Sequence, residues 1–214
     1  MFSVLELRSC AAKHLAAYTD RTSHYAFTAY DMLGDPDQLS PTDCLAPGLL
    51  QAPLDGHLVI QMWREVQDDN DPNPYQGLRQ AMQAVLDDEE AKTATFWTVD
   101  LDDRSGPWGL VLRALIASDR TRGIKASKVT KTLHRKRPWL VPIFDSKVAA
   151  AYGSSARRPS EFWPRLQEDL FQQLDWLSGM ATVSRTPDGR ELSPLRVIDI
   201  IVWHHAVSGC SGRE

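Results

Sequence analysis

Three features of the sequence predict a mainly α-helical, compact multi-helix fold. Apolar residues recur at three- and four-residue spacing in segment after segment. Helix-opening pairs stand at Ser40-Pro41, Gly106-Pro107 and Ser193-Pro194. Apolar residues make up 43% of the chain and seven are Trp, a composition of folded globules rather than disordered chains. The 214 residues can bury a sizeable core, and a single domain spanning 1–214 is expected.

Ser40-Pro41-Thr42-Asp43 has an N-cap, a Pro at the first helical position and an acid three residues after the cap. Pro47-Gly48 soon interrupts that segment. The run from Leu54 to Val66 suits a strand or a helix by composition, and its setting favours the helix. Asp68 to Pro74 is acidic and Pro-bearing, a loop. Leu78, Met82, Val85 and Leu86 then mark one face of a helix that Asp87 to Glu90 end. After Gly106-Pro107, the buried stripe is Leu110, Val111, Ala114, Leu115 and Ala117. A helix through Val148 and Ala151 reaches a C-cap at Tyr152-Gly153. Ser160 can cap the next, whose face is Phe162, Leu166, Leu170, Leu174 and Leu177, with Pro164 early enough to be tolerated. Thr186-Pro187-Asp188-Gly189 is a turn between two extended arms, one short β-hairpin. The last helix, Leu195 to Val207, is apolar nearly all round and so should be central.

Between Asp119 and Asp145 the chain carries Arg120, Arg122, Lys125, Lys128, Lys131, Arg135, Lys136 and Arg137, with no intervening acid. The whole chain has a formal charge of −4, so this is a local basic island, of the kind that meets phosphate or another polyanion. At ~100° per residue, Ala126, Val129 and Leu133 share one helical face. Lys128, Lys131 and Arg135 gather on the opposite side. Gly123 permits a tight turn into the helix N-terminus, where free N–H groups favour an anion. The alternative is a solvated helix face with cations at its C-terminal end, where the dipole suits them.

The run K-x-L-x-R-K-R-P-x-L-x-P-I-x-D (Lys131 to Asp145) and the later S-P-L-R-V-I-D-I-I-V-W (Ser193 to Trp203) resemble an actinobacterial family without assigned chemistry, domain-of-unknown-function family 6308. The segment from Gly123 to about Ala149 is also distantly similar to the signature of the helix-hairpin-helix DNA glycosylases. That signature is a hairpin L-P-G-V-G, a second hairpin helix, and an apolar run ending in a catalytic Asp. The resemblance implies a helix-hairpin-helix-like segment over 110–150. Gly123-Ile124-Lys125 stands for G-V-G, and Asp145 for the catalytic carboxylate. Ser127 occupies the slot that holds a Schiff-base Lys in bifunctional members. Thr121-Arg122 replaces Leu-Pro and Lys125 replaces the second hairpin Gly.

On this resemblance the expected function is nucleic-acid binding, with double-stranded DNA as partner. The expected activity is that of a monofunctional N-glycosylase in repair or defence, a hydrolase without lyase activity. Asp145 would stabilise positive charge developing on the sugar or activate the attacking water. Gly123, Lys125, Ser127, Lys128, Lys131 and Arg135 would meet the backbone. Trp108, Trp139, Phe144 and Trp203 are candidates to line a pocket for the extruded base. Each has a plainer reading: the aromatics as core, and Asp145 as the N-cap of the helix starting at Ser146. Two rival functions stay open: a DNA- or RNA-binding module without catalysis, and a small-molecule enzyme or resistance protein that binds an anionic metabolite.

No cofactor and no metal are expected. Cys10, Cys44 and Cys210 are odd in number, widely spaced and outside any Cys/His ligand grouping, so three free thiols are expected. His204 and His205 suit a structural His pair better than a general base, and Asp100, Asp102 and Asp103 a solvated loop better than a cation site. The N-terminal segment is too polar for a secretory signal and no apolar run approaches ~20 residues, so a cytoplasmic protein without membrane contact is expected.

Overall fold

The computed structural model describes residues 2–20, 22, 25, 27–31, 34–65, 73–155, 159–186 and 188–210. In chain order the helices are α1 (Ala11–Thr19), α2 (Phe27–Tyr30), α3 (Pro41–Leu45) and α4 (Gly56–Trp63). They continue with α5 (Pro74–Asp87), α6 (Glu89–Thr93), α7 (Pro107–Asp119) and α8 (Ala126–His134). The last four are α9 (Ser146–Ala151), α10 (Pro159–Gln172), α11 (Leu174–Thr182) and α12 (Pro194–Ser208). Short 3-10 turns cover Val4–Leu7 and Ala46–Leu50. The mainly α-helical expectation holds.

Among the described residues, side-chain caps set six helix starts. Ser40 accepts from the Asp43 amide while Asp43 returns a bond to the Ser40 amide, the reciprocal box expected there. Asp55, Asn73, Asp88, Asp145 and Ser193 cap α4, α5, α6, α9 and α12. The run before Trp63 is therefore helix, as its setting favoured. Of the acidic loop expected from Asp68 to Pro74, residues 68–72 lie outside the described residues, as does Pro187 of the later turn.

The chain divides into two units, Met1–Met32 with Pro142–Glu214, and Leu33–Val141. In the first, α1, α9, α10, α11 and the Val4–Leu7 turn pack around α12. Leu195, Val197, Ile198, Ile200, Ile201 and Val202 of α12 are buried, which is why its pattern has no polar face. Each such side chain contributes about 1.5–3 kcal/mol by leaving water. In the second unit α5 and α7 form the principal pair, α4 lies on α5, and α8 packs on α7, α3 and the Ala46–Leu50 turn. Leu78, Met82, Val85 and Leu86 of α5 are buried, as their spacing predicts.

The expected β-hairpin is corrected. Among the described residues there is no strand, and Arg185 and Glu191 make only an isolated antiparallel bridge. Thr186 closes the loop on itself through Arg190, whose carbonyl accepts from the Thr186 amide at 2.9 Å. Two arms this short, without a third strand, do not sustain a ladder.

Candidate functional site

The basic island spans the end of α7, the turn 120–125, α8 and the residues after it. Gly123 has φ +84°, the left-handed conformation that lets α7 reverse into α8, and an added Cβ would meet Leu58 Cδ1 at 2.9 Å. Thr121 Oγ1 ties the turn by donating to the Ser118 carbonyl at 2.8 Å and the Ile124 carbonyl at 2.9 Å. Lys125 Nζ donates to the carbonyls of Asp119 and Thr121 at 3.1 and 2.9 Å, which covers the C-terminal end of α7. Lys128 Nζ donates to the Gly123 carbonyl at 2.7 Å. The turn thus has its carbonyls covered by cations. Lys125, the N-cap of α8, has no side-chain acceptor for that helix's first N–H groups. Arg120, Arg122, Gly123 and Lys125 are exposed, and Ser127 and Lys128 are half-buried.

The second half of the island is different. Lys131, expected on an open cationic stripe, is 3% exposed, and its Nζ donates to the Leu50 carbonyl at 3.0 Å. Arg135 pairs with Asp43 Oδ1 at 2.8 Å and Lys136 with Asp43 Oδ2 at 3.0 Å. Arg137 donates to Asp37 Oδ1 at 2.9 Å and to the carbonyls of Pro36 and Leu86. The stripe is corrected because segment 35–51 covers it. The carboxylates and carbonyls of that segment and of the α5 end take up these cations.

Asp145 lies in the first unit, apart in the division from the hairpin of the second. Its Oδ1 accepts from the Lys147 amide at 2.9 Å, which is the N-cap role its plainer reading assigns. The four aromatic candidates divide in the same way. Trp108 is 2% exposed against Phe96, and Trp139 is 39% exposed against Trp97, both in the second unit. Phe144 is buried against Phe162 and Trp163, and Trp203 meets Tyr18 and Tyr25 with Lys147 Nζ 5.3 Å above its ring, all in the first. Trp108 also lines a pocket of about 320 Å³ with Glu90, Thr93, Thr98, Asp100 and Asp103. Those carboxylates disfavour an anionic ligand there.

Three constellations were not anticipated. Arg196 on α12 is buried between Asp31 and Asp199, with bonds of 2.7 and 2.5 Å, and its guanidinium lies 5.2 Å from the rings of Tyr18 and Tyr30. Burial opposes its charge, but Asp31, then Tyr18 and Asp199, raise its pKa well above the ordinary guanidinium value. Asp43 is a hub as well as the third-position partner in the Ser40 capping box. Beside it, burial first and the Asp43 charge second push the Cys44 thiol up to about 12.

The third constellation overturns the expectation of three free thiols without ligand partners. Cys10 and Cys210 are joined as a disulfide, and Cys44 alone of the three is free. Cys10, His14, His205 and Cys210 place one ligand atom each within 4.8 Å of all the others. His14 Nδ1 lies 2.8 Å from His204 Nδ1, and burial, then His204, His205 and Lys13, lower the His14 pKa to about 4. The signals were C-x₃-H at the start of α1 and H-x₄-C running off the end of α12, about 190 positions apart.

Residues 11–206 match the model of a family of unknown function, DUF6308, and the chain belongs to that family. No curated protein and no solved structure matches it. Among the described residues no helix is long and apolar enough to cross a membrane.

Proposed function

We propose that the protein binds the backbone of double-stranded DNA through the α7–α8 hairpin, as a monofunctional N-glycosylase of the helix-hairpin-helix type. The observation that carries the reading is the turn itself. Arg120, Arg122 and Lys125 stand exposed around a left-handed Gly123, at the start of a helix whose first turn has no side-chain cap. Such a turn offers phosphate oxygens both N–H donors and cations. The order of parts also follows the glycosylase signature: helix, turn, helix, an apolar run, then Asp145 at the start of α9.

In this reading the chemistry belongs to Asp145. As the base departs, its carboxylate stabilises the cationic sugar or takes a proton from the attacking water. The Ser127 hydroxyl forms no imine, so no strand cleavage follows by that route. Lys131 and Arg135 leave the list of DNA contacts, since Lys131 is buried on the Leu50 carbonyl and Arg135 is paired with Asp43.

The test is binding to a fluorescent duplex across a salt series. Wild type should bind with a steep salt dependence, and Arg120→Glu with Arg122→Glu should weaken it and reduce the log–log slope by about 0.9 per lost phosphate contact. The same variant should keep the wild-type melting temperature, because both side chains are exposed. Absence of binding at low salt defeats the proposal, and a shallow slope with anionic metabolites favours the small-molecule reading. Asp145→Asn should abolish base excision with affinity retained. If it only lowers the melting temperature of a protein that binds but excises nothing, Asp145 is a cap in a non-catalytic binding module.

A further inference from the structure

Among the described residues, a cluster of metal-ligand-type side chains joins the start of α1 to the end of α12 in the first unit. Cys10 and His14 lie one turn apart at the start of α1, and His205 and Cys210 lie at the end of α12 and just beyond it. Cys10 and His14 are buried, His205 is half-buried, and Cys210 is exposed. α1 packs along α12, so both pairs are carried on one helix–helix contact.

We propose that Cys10, His14, His205 and Cys210, with both sulfurs reduced, bind one zinc ion in a closed tetrahedral S₂N₂ site.

Tetrahedral zinc with bonds of about 2.3 Å to sulfur and about 2.0–2.1 Å to nitrogen sets its ligand atoms roughly 3.3–3.8 Å apart. Cys210 Sγ already lies 3.3 Å from His205 Nδ1 and 3.9 Å from His14 Nε2. The Cys10–Cys210 separation must open, and reduction of the S–S bond does that. Two electrons and two protons pass to the sulfurs from a dithiol, which becomes a disulfide itself. Binding of Zn²⁺ then releases the two thiol protons. Two thiolates and two imidazoles select zinc over harder cations, and four protein ligands leave no open position for catalysis.

The surroundings of His14 add an observation independent of the four ligands. With Nε2 toward the metal, its Nδ1 sits 2.8 Å from His204 Nδ1, and Ser208 Oγ lies 3.0 Å from that same His204 atom. A partner on the second ring nitrogen is what orients a metal-bound imidazole. Four ligands from the two ends of one unit would let zinc staple α1 to the chain after α12.

The experiment uses the full chain, reduced with a phosphine, which takes the oxygen of water as the sulfurs take its protons. Expected are about one Zn²⁺ per chain by elemental analysis, a higher melting temperature with zinc, and, with Co²⁺ alone, the visible bands of a tetrahedral site with thiolate charge transfer. Cys210→Ser, at an exposed position, should fold and lower zinc affinity by more than the about 10–100-fold typical of outer-shell losses. His205→Gln should do the same and keep the thiolate charge-transfer bands, since both sulfurs remain. Substoichiometric zinc in reduced wild type, a Co²⁺ spectrum without thiolate character, or undiminished affinity in Cys210→Ser would each overturn the proposal.

Discussion

Arg196 in the first unit is a buried cation between two carboxylates, whereas Asp43 in the second is a buried carboxylate between two cations. Arg196 stands on α12, the helix the rest of its unit surrounds, and one partner, Asp199, lies a turn further along the same helix. Its charge is met by Asp31 and by two tyrosine rings as well. Asp43 stands on the five-residue α3, and its cations reach it from the end of α8. The positive excess there is taken up by backbone, with Lys136 Nζ also donating to the Asp35 carbonyl. In one cluster the charge at the hub fixes the central helix. In the other, the charges around the hub fasten a loop-rich segment over α8. A cation on an acidic protein is therefore no guide to surface potential until its partners are known.

The largest effect should come from Arg196→Met. It leaves two buried carboxylates without their cation, and loss of about 3–5 kcal/mol is expected in urea denaturation. A loss below about 1 kcal/mol would mean the cluster is better solvated than its burial indicates. Asp43→Asn should cost less, about 1–3 kcal/mol, because the amide keeps one acceptor and Lys136 retains the Asp35 carbonyl. If the two substitutions cost the same, the distinction between a hub on a central helix and a hub on a short one fails.

The smallest effect concerns Cys44, whose pKa of about 12 owes most to burial and next to Asp43. A pKa raised in the folded state contributes stability that is complete below the unfolded value, near 9.0, and is lost as pH climbs toward about 12. Stability should therefore decline over that alkaline window, and Cys44→Ala should flatten the decline. Alkylation at pH 8 should also leave Cys44 almost unlabelled in the native protein, since the thiolate is the nucleophile. Rapid labelling would show that segment 35–51 opens readily.

Local pattern was enough for the capping box at Ser40, the caps at Asp145 and Ser193, the buried stripe of α5 and the central place of α12. Each depends on residues within a few positions of one another, where backbone satisfaction and helical period act directly. The hairpin at Gly123 was legible for the same reason. The wheel placed Lys128, Lys131 and Arg135 together but could not foresee the cover on them. Leu50 lies 81 positions from Lys131, and Asp43 lies 92 from Arg135.

By itself, then, the sequence determined the helical class, most helix starts and the presence of a basic turn before α8. Those are matters of short-range sterics, capping and apolar periodicity. Only the tertiary structure decided which cations remain exposed, that Arg196 and Asp43 are hubs, and that two cysteines and two histidines from opposite ends of the chain meet. Long-range pairing follows from which faces bury each other, and a buried charge takes whatever opposite charge or carbonyl that packing brings within reach.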